Sequence, residues 1–258
     1  MTERSRVFPI VAILILGVSA CSPERSAPAA TPGSPSPVSG VTPIHVLMIT
    51  ATAGYRHDSI PAARELLMSV PASEIAVAAT EDLAALRPST FASFDVLMFA
   101  LTSGELAFSA DQKTAIVDFV SGGGGFVGVH SASDTLYEWP EYGRLVGAYF
   151  KEHPWTQQGT LIVEDESHPA TAGLGDGFSI LEEFYTFREN PRPRVQVLVR
   201  LDAASVGSTG DYPIAWAQSY GSGRAYYNAL GHFPETWRDQ RFQRQLTGAI
   251  RWAAKRLE

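Results

Sequence analysis

Cysteine is nearly absent from this chain: Cys21 is the only one among 258 residues. A lone thiol excludes an intrachain disulfide framework, and its surroundings explain it better than an active site would. Long apolar runs are also missing, and the most continuous, Val7–Val18, is short for a transmembrane helix. Dense runs of Lys or Arg do not occur in the body of the chain, and the formal net charge is -7. Binding to a phosphate backbone gains from counterion release at a basic patch, so nucleic acid is not an expected partner. There is no internal repeat.

What the start of the chain does contain is a targeting layout. Arg4 and Arg6 precede the apolar stretch, and Val18-Ser19-Ala20-Cys21 closes it with small residues before the thiol. These four residues resemble a bacterial lipobox, in which the cysteine becomes the lipidated first residue. Ordinary secretory cleavage beside an incidental cysteine is the plainer alternative. Residues 1–20 therefore read as a lipoprotein signal peptide. Residues 21–43, rich in Pro, Ser and Ala and poor in large apolar side chains, read as a disordered tether. The expectation is an exported protein, lipid-anchored to the cell envelope at Cys21 and touching membrane only through that anchor. Ser22 is not the aspartate of an inner-membrane retention signal, which favours the outer membrane, facing the periplasm.

Residues 44–258 have the length of one sizeable α/β domain. Ile44–Thr50 is an apolar strand that ends in the loop Ala51–His57, after which Asp58 or Ser59 can cap a helix whose first turn accepts Pro61. Further strands are expected at Ile75–Thr80 and Asp95–Leu101, with a short connection near Leu83–Leu86. Ser109 and Gln112 form a capping-box pair ahead of a helix. Gly122–Gly125 then feed a buried strand, Phe126–Val129. The second half is less regular, with strands at Thr160–Val163, Phe184–Phe187, Val195–Leu201, Ile214–Gln218 and Ala225–Leu230. Tyr220-Gly221-Ser222-Gly223 reads as a hairpin turn, and Phe242–Leu257 as a closing helix. Alternating β and α elements predict a mostly parallel sheet covered on both faces, with late antiparallel strands.

Ligands of open parallel sheets gather beyond the carboxyl ends of the strands. His57, His130 and His232 each follow a strand there, and His130 stands on a strand-to-turn elbow, Gly128-Val129-His130-Ser131-Ala132. Imidazole at such a place can bind a metal or move a proton, and a divalent ion such as zinc suits three of them. A hydrogen-bonded loop residue is the alternative for each taken singly. Asp58, Asp134, Glu183 and Glu235 could orient imidazoles or act as acid or base. If Glu182 and Glu183 lie on a strand, one should face solvent. His153 and His168 precede proline and read as structural turns. Aromatic faces suit a sugar ring as well as a core, and Tyr137, Trp139 and Trp155 are the first choices for substrate contact.

Together these residues resemble the ThuA-like (trehalose-utilisation) family. The resemblance rests on Gly54-Tyr55-Arg56-His57-Asp58-Ser59-Ile60, Gly128-Val129-His130-Ser131-Ala132-Ser133-Asp134-Thr135, Trp139-Pro140, Leu145–Phe150, His168-Pro169-Ala170-Thr171, Glu183-Phe184-Tyr185 and Ala229-Leu230-Gly231-His232. It implies the class I glutamine amidotransferase-like (flavodoxin-like) fold, a three-layer α/β sandwich. It implies Glu183 beside the three histidines, and Tyr55, Arg56 and Tyr185 among the substrate-binding residues. The expected ligand is a small-molecule carbohydrate, a glycoside or 3-keto derivative of a trehalose-like disaccharide, handled by a hydrolase, lyase or isomerase. A non-catalytic carbohydrate-binding lipoprotein is the alternative. His130 stands where amidotransferases place their catalytic cysteine, so glutaminase chemistry is not expected.

Overall fold

The structure is a computed structural model that describes residues 42–258. The expected signal peptide, the lipidation site Cys21 and most of the tether lie outside the described residues.

The order of elements is β1 (Ile44–Ile49), α1 (Ile60–Ser69), β2 (Ile75–Thr80), α2 (Pro88–Phe91), β3 (Val96–Ala100), α3 (Ala110–Ser121) and β4 (Gly125–Val129). After a 3₁₀ turn, His130–Asp134, come α4 (Pro140–Val146), β5 (Phe150–Val163), β6 (Gly177–Phe187), β7 (Gln196–Leu201), β8 (Tyr212–Tyr220), β9 (Gly223–Asn228), α5 (Pro234–Arg238) and α6 (Gln240–Ala253). One sheet takes all nine strands in the order β2-β1-β3-β4-β9-β8-β7-β5-β6. The run β2-β1-β3-β4-β9 is parallel, and the strands beyond it pair antiparallel. This is the expected α/β architecture.

The central strands are apolar throughout because both faces are covered. Every residue of β3 and β4 is buried. On β4 a Cβ at Gly125 would lie 2.9 Å from the Cβ of Ala253 on α6, whereas Phe126, pointing the other way, packs edge-on against Tyr142 of α4. Helices thus lie on opposite faces of one strand, giving three layers. The capping box of Ser109 and Gln112 forms as read, and Gln112 also donates to the carbonyl of Leu83, fixing the connection to α3.

Three departures matter for the site. β5 starts ten residues before the expected Thr160, so His153-Pro154 sits within a strand rather than a turn. Its first half is mostly polar and exposed, which hides the alternation, and register shifts accommodate the proline. That half pairs only with β6, because β7 joins β5 at Leu161–Val163 alone. The result is a two-stranded ribbon whose β6 side chains reach the ends of the parallel strands. Glu182 and Glu183 are both buried, against the expectation that one faces solvent.

Candidate active site

His130 follows β4 directly, and its backbone is left-handed, with φ of 52°. A non-glycine residue in that region is strained and persists only where its surroundings hold it. Here they do: Nδ1 lies 2.7 Å from the carbonyl oxygen of Ala229, and Tyr227 donates to the His130 carbonyl at 2.7 Å. A carbonyl can only accept, so Nδ1 carries the proton and the Nε2 lone pair is free. The Tyr185 hydroxyl donates to that Nε2 at 3.0 Å. A backbone carbonyl on one ring nitrogen, leaving the other available, is the usual support of a metal-binding histidine.

His57 and His232 arrive on loops that are tied together. Ser59 occupies the N-cap position of α1, yet its hydroxyl makes no capping bond and donates to the Gly231 carbonyl at 2.9 Å. Gly231 has φ of 126°, a conformation suited to glycine, and turns the chain into His232. Glu182, fully buried, accepts from the backbone N–H of Gly231 at 3.0 Å, that of His232 at 3.1 Å and the Thr236 hydroxyl at 2.6 Å. The ring centroids of His57, His130 and His232 are 4.7, 5.3 and 5.4 Å apart pairwise.

Glu183 completes the group. Its Oε2 lies 3.6 Å from His130 Nε2 and 3.1 Å from His232 Nδ1, and its Oε1 lies 3.2 Å from His153 Nδ1. One donor atom from each of His57, His130, Glu183 and His232 falls within 4.8 Å of the others. This cluster could hold a metal ion. Burial opposes ionisation of Glu183, but the adjacent His130 and His232 imidazoles outweigh it and hold the carboxyl well below its ordinary value. Burial lowers His232, and the Glu183 carboxylate more than offsets this, so the net direction is upward. His57 is pushed down to about 3, first by burial and then by His130 and His232. Ser131 lies 3.4 Å from its Nδ1.

His57, Glu183 and His232 line a cavity of about 350 Å³, and His130 is fully buried beside them. Tyr55, 62 % exposed, stands at its mouth, with Phe150, Tyr185, His153 and Asp134 around it. The His153-Pro154 pair predicts a turn, whereas His153 lies on the polar half of β5 and faces the cavity. Other candidates lie elsewhere. Arg56 makes a bidentate pair with Glu81. Trp139 is buried and stacks on Tyr142, and Trp155 sits opposite Phe184 and packs edge-on against Tyr212. Tyr137 does not line the cavity but donates to Asp134 at 2.6 Å. Asp58 and Glu235 are exposed, and His168 is a buried turn residue that accepts from the N–H of Ala170.

The sequence profile of the ThuA family, described as trehalose utilisation, matches residues 45–253. The chain belongs to the ThuA family. Solved ThuA-like proteins share its fold: one from Bacteroides uniformis has 22 % identity over 86 % of this chain and 95 % of its own, with a TM-score of 0.70. Another, from Parabacteroides merdae, has 19 % identity over 83 % of this chain and 90 % of its own, with a TM-score of 0.67. A protein from Thermoplasma acidophilum named for GMP synthase aligns with a TM-score of 0.54 at 11 % identity, covering 84 % of this chain and 97 % of its own. The similarity between this ThuA chain and that protein is one of fold. No curated protein sequence matches the chain.

Proposed function

We propose that this ThuA-family protein is an enzyme of carbohydrate metabolism acting on a glycoside or 3-keto glycoside of the trehalose type. A divalent cation such as zinc would be held by His57, His130, Glu183 and His232. The observation that carries the reading is a four-donor cluster of which three members, His57, Glu183 and His232, line an aromatic-rimmed cavity. The residues fit such an ion: imidazoles and a carboxylate are a suitable donor set, and the buried His232 Nδ1 has no aligned hydrogen bond among the described residues. A bound cation would polarise a sugar carbonyl and stabilise an enolate.

The chain's own groups do the rest. Tyr55, Phe150 and Tyr185 offer aromatic faces to a sugar ring, and His153 and Asp134 offer polar edges to its hydroxyls. In a 3-keto glycoside the C2–H is acidified by the carbonyl. A base on the protein takes that proton, the electron pair forms the C1–C2 double bond, and the C1–O bond opens. The departing oxygen then receives a proton, so none is gained or lost overall. With His130 at the elbow, no thiol is available for glutamine hydrolysis.

Incubation of the purified protein with 3-keto-trehalose, with and without added zinc, tests this reading. The expected result is release of glucose together with an unsaturated keto-sugar. Sugar binding without turnover would identify a carbohydrate-binding protein instead. We also propose export and lipid anchoring at Cys21; radiolabelled palmitate should be incorporated by the wild type and not by Cys21→Ser.

A further inference from the structure

Asp134 lines the cavity but stands outside the four-donor cluster. It ends the 3₁₀ turn that begins at His130, and its backbone carbonyl is pinned by the N–H of Gly104 at 2.8 Å. The Tyr137 hydroxyl donates to its Oδ1 at 2.6 Å, closer than the same hydroxyl lies to the Phe150 carbonyl at 3.2 Å. Among the described residues no hydrogen bond reaches Oδ2. Over the face of the Tyr137 ring sits the Arg188 guanidinium, 3.9 Å from the centroid. A cation there is attracted by the ring and makes the phenol a stronger donor.

The other carboxylate of the cavity is already engaged, since both oxygens of Glu183 face imidazoles at 3.1–3.6 Å. His153, in turn, is the imidazole held against Glu183 Oε1. Among the described residues, Asp134 is the one acidic group of the cavity wall with an oxygen to spare.

We infer that Asp134 is the proton acceptor of the site, a catalytic residue separate from the metal-binding set, and that Tyr137 and Arg188 are positioning residues that clamp Oδ1 and leave Oδ2 for the substrate C–H. This rests on the reading above that a 3-keto glycoside is the substrate. Oδ2 takes the proton from the carbon beside the keto group, the C–H electron pair passes into the enolate, and the C1–O bond breaks as the enolate collapses. The proton held by Asp134 returns to the departing oxygen, which restores the carboxylate. Burial raises the carboxyl above its ordinary value, against the Tyr137 hydrogen bond and the nearby His130, Arg188 and His153, and a stronger base suits the removal of a carbon-bound proton.

The test follows the rate of release of glucose and the unsaturated keto-sugar from 3-keto-trehalose, together with metal content, KM and kcat, on the full-length protein. Asp134→Asn should lose at least about 100-fold in that elimination, the scale of general-base catalysis, with metal content unchanged. Tyr137→Phe should lose kcat with KM within about twofold, a loss confined to the transition state. The acid limb of its profile should move to higher pH, because the hydrogen bond that favoured the charged carboxylate is gone. Arg188→Ala should shift the limb in the same direction, and Arg188→Lys should restore part of it.

A wild-type rate of elimination in Asp134→Asn would overturn the assignment of the base and leave the proposed substrate class standing. Should Asp134→Asn fail to fold, an unmoved acid limb in Tyr137→Phe would overturn the assignment by itself. A metal-loaded wild type that releases no glucose from 3-keto-trehalose would overturn the substrate reading and this inference together.

Discussion

Glu182 and Glu183, adjacent on β6, act on the same loop from two sides: Glu182 takes the backbone N–H groups of Gly231 and His232, and Glu183 faces the His232 imidazole 3.1 Å away. The first builds the loop, and the second joins the cluster the loop presents. Their roles separate by substitution. Glu182→Ala leaves three backbone donors, those of Glu183, Gly231 and His232, and the Thr236 hydroxyl without their buried acceptor, an expected loss of about 3 kcal/mol of stability. Denaturant unfolding measures it, and a loss below about 1 kcal/mol would remove Glu182 from this role.

Gly231 offers a sharper test of the same loop. Its φ of 126° disfavours any side chain, and a Cβ there would approach Trp237 at 3.3 Å and Val129 at 3.4 Å. Gly231→Ala is expected to cost about 1–3 kcal/mol and to weaken metal binding by displacing His232. Unfolding midpoints and zinc titration together report both effects.

Tyr185 and a metal ion would compete for one lone pair. The hydroxyl donates to His130 Nε2, the nitrogen left free by the Ala229 contact. Tyr185→Phe should therefore bind zinc at least as tightly as wild type in a competition titration. A tenfold loss would mean that the hydroxyl supports the ion instead.

Much of the site was legible in the chain because backbone topology alone carries it. His130 follows an apolar strand after a glycine run, and His57 and His232 follow other parallel strands, so convergence needed only the crossover rule for open sheets. Glu183 and Tyr185 came only through the family resemblance, because they arrive on an antiparallel ribbon whose reach no local pattern encodes. The proline next to His153 argues against a strand, and alternation sends one of Glu182 and Glu183 to solvent, so neither position is marked by local pattern. Tyr137, Trp139 and Trp155 show the complementary limit: aromatic type fits a sugar platform, a core and a hydrogen-bond partner equally well. Tyr142, beneath Trp139, donates to the Ala132 carbonyl at 2.8 Å and is part of the core.

Acid should destabilise the fold through His168, away from the cavity. Its Nδ1 accepts from the N–H of Ala170 at 3.1 Å and so must be unprotonated, and burial lowers the imidazole to about 4. The unfolded chain, with its histidine near 6.5, takes up the proton first, so the stabilisation is complete above that pH and is lost as pH falls toward about 4. His168→Asn keeps an acceptor near the Ala170 N–H and does not titrate. Urea midpoints at pH 7 and pH 4.5 should therefore lie closer together in the variant than in wild type.

The central claim is that His57, His130, Glu183 and His232 form one metal site, and elemental analysis of the purified protein tests it most directly. Wild type dialysed against trace zinc should retain near-stoichiometric metal, while His57→Ala, His130→Ala, Glu183→Ala and His232→Ala, each shown to be folded, should retain little. Wild type without retained metal after dialysis against zinc, or variants that all keep it, would contradict the account.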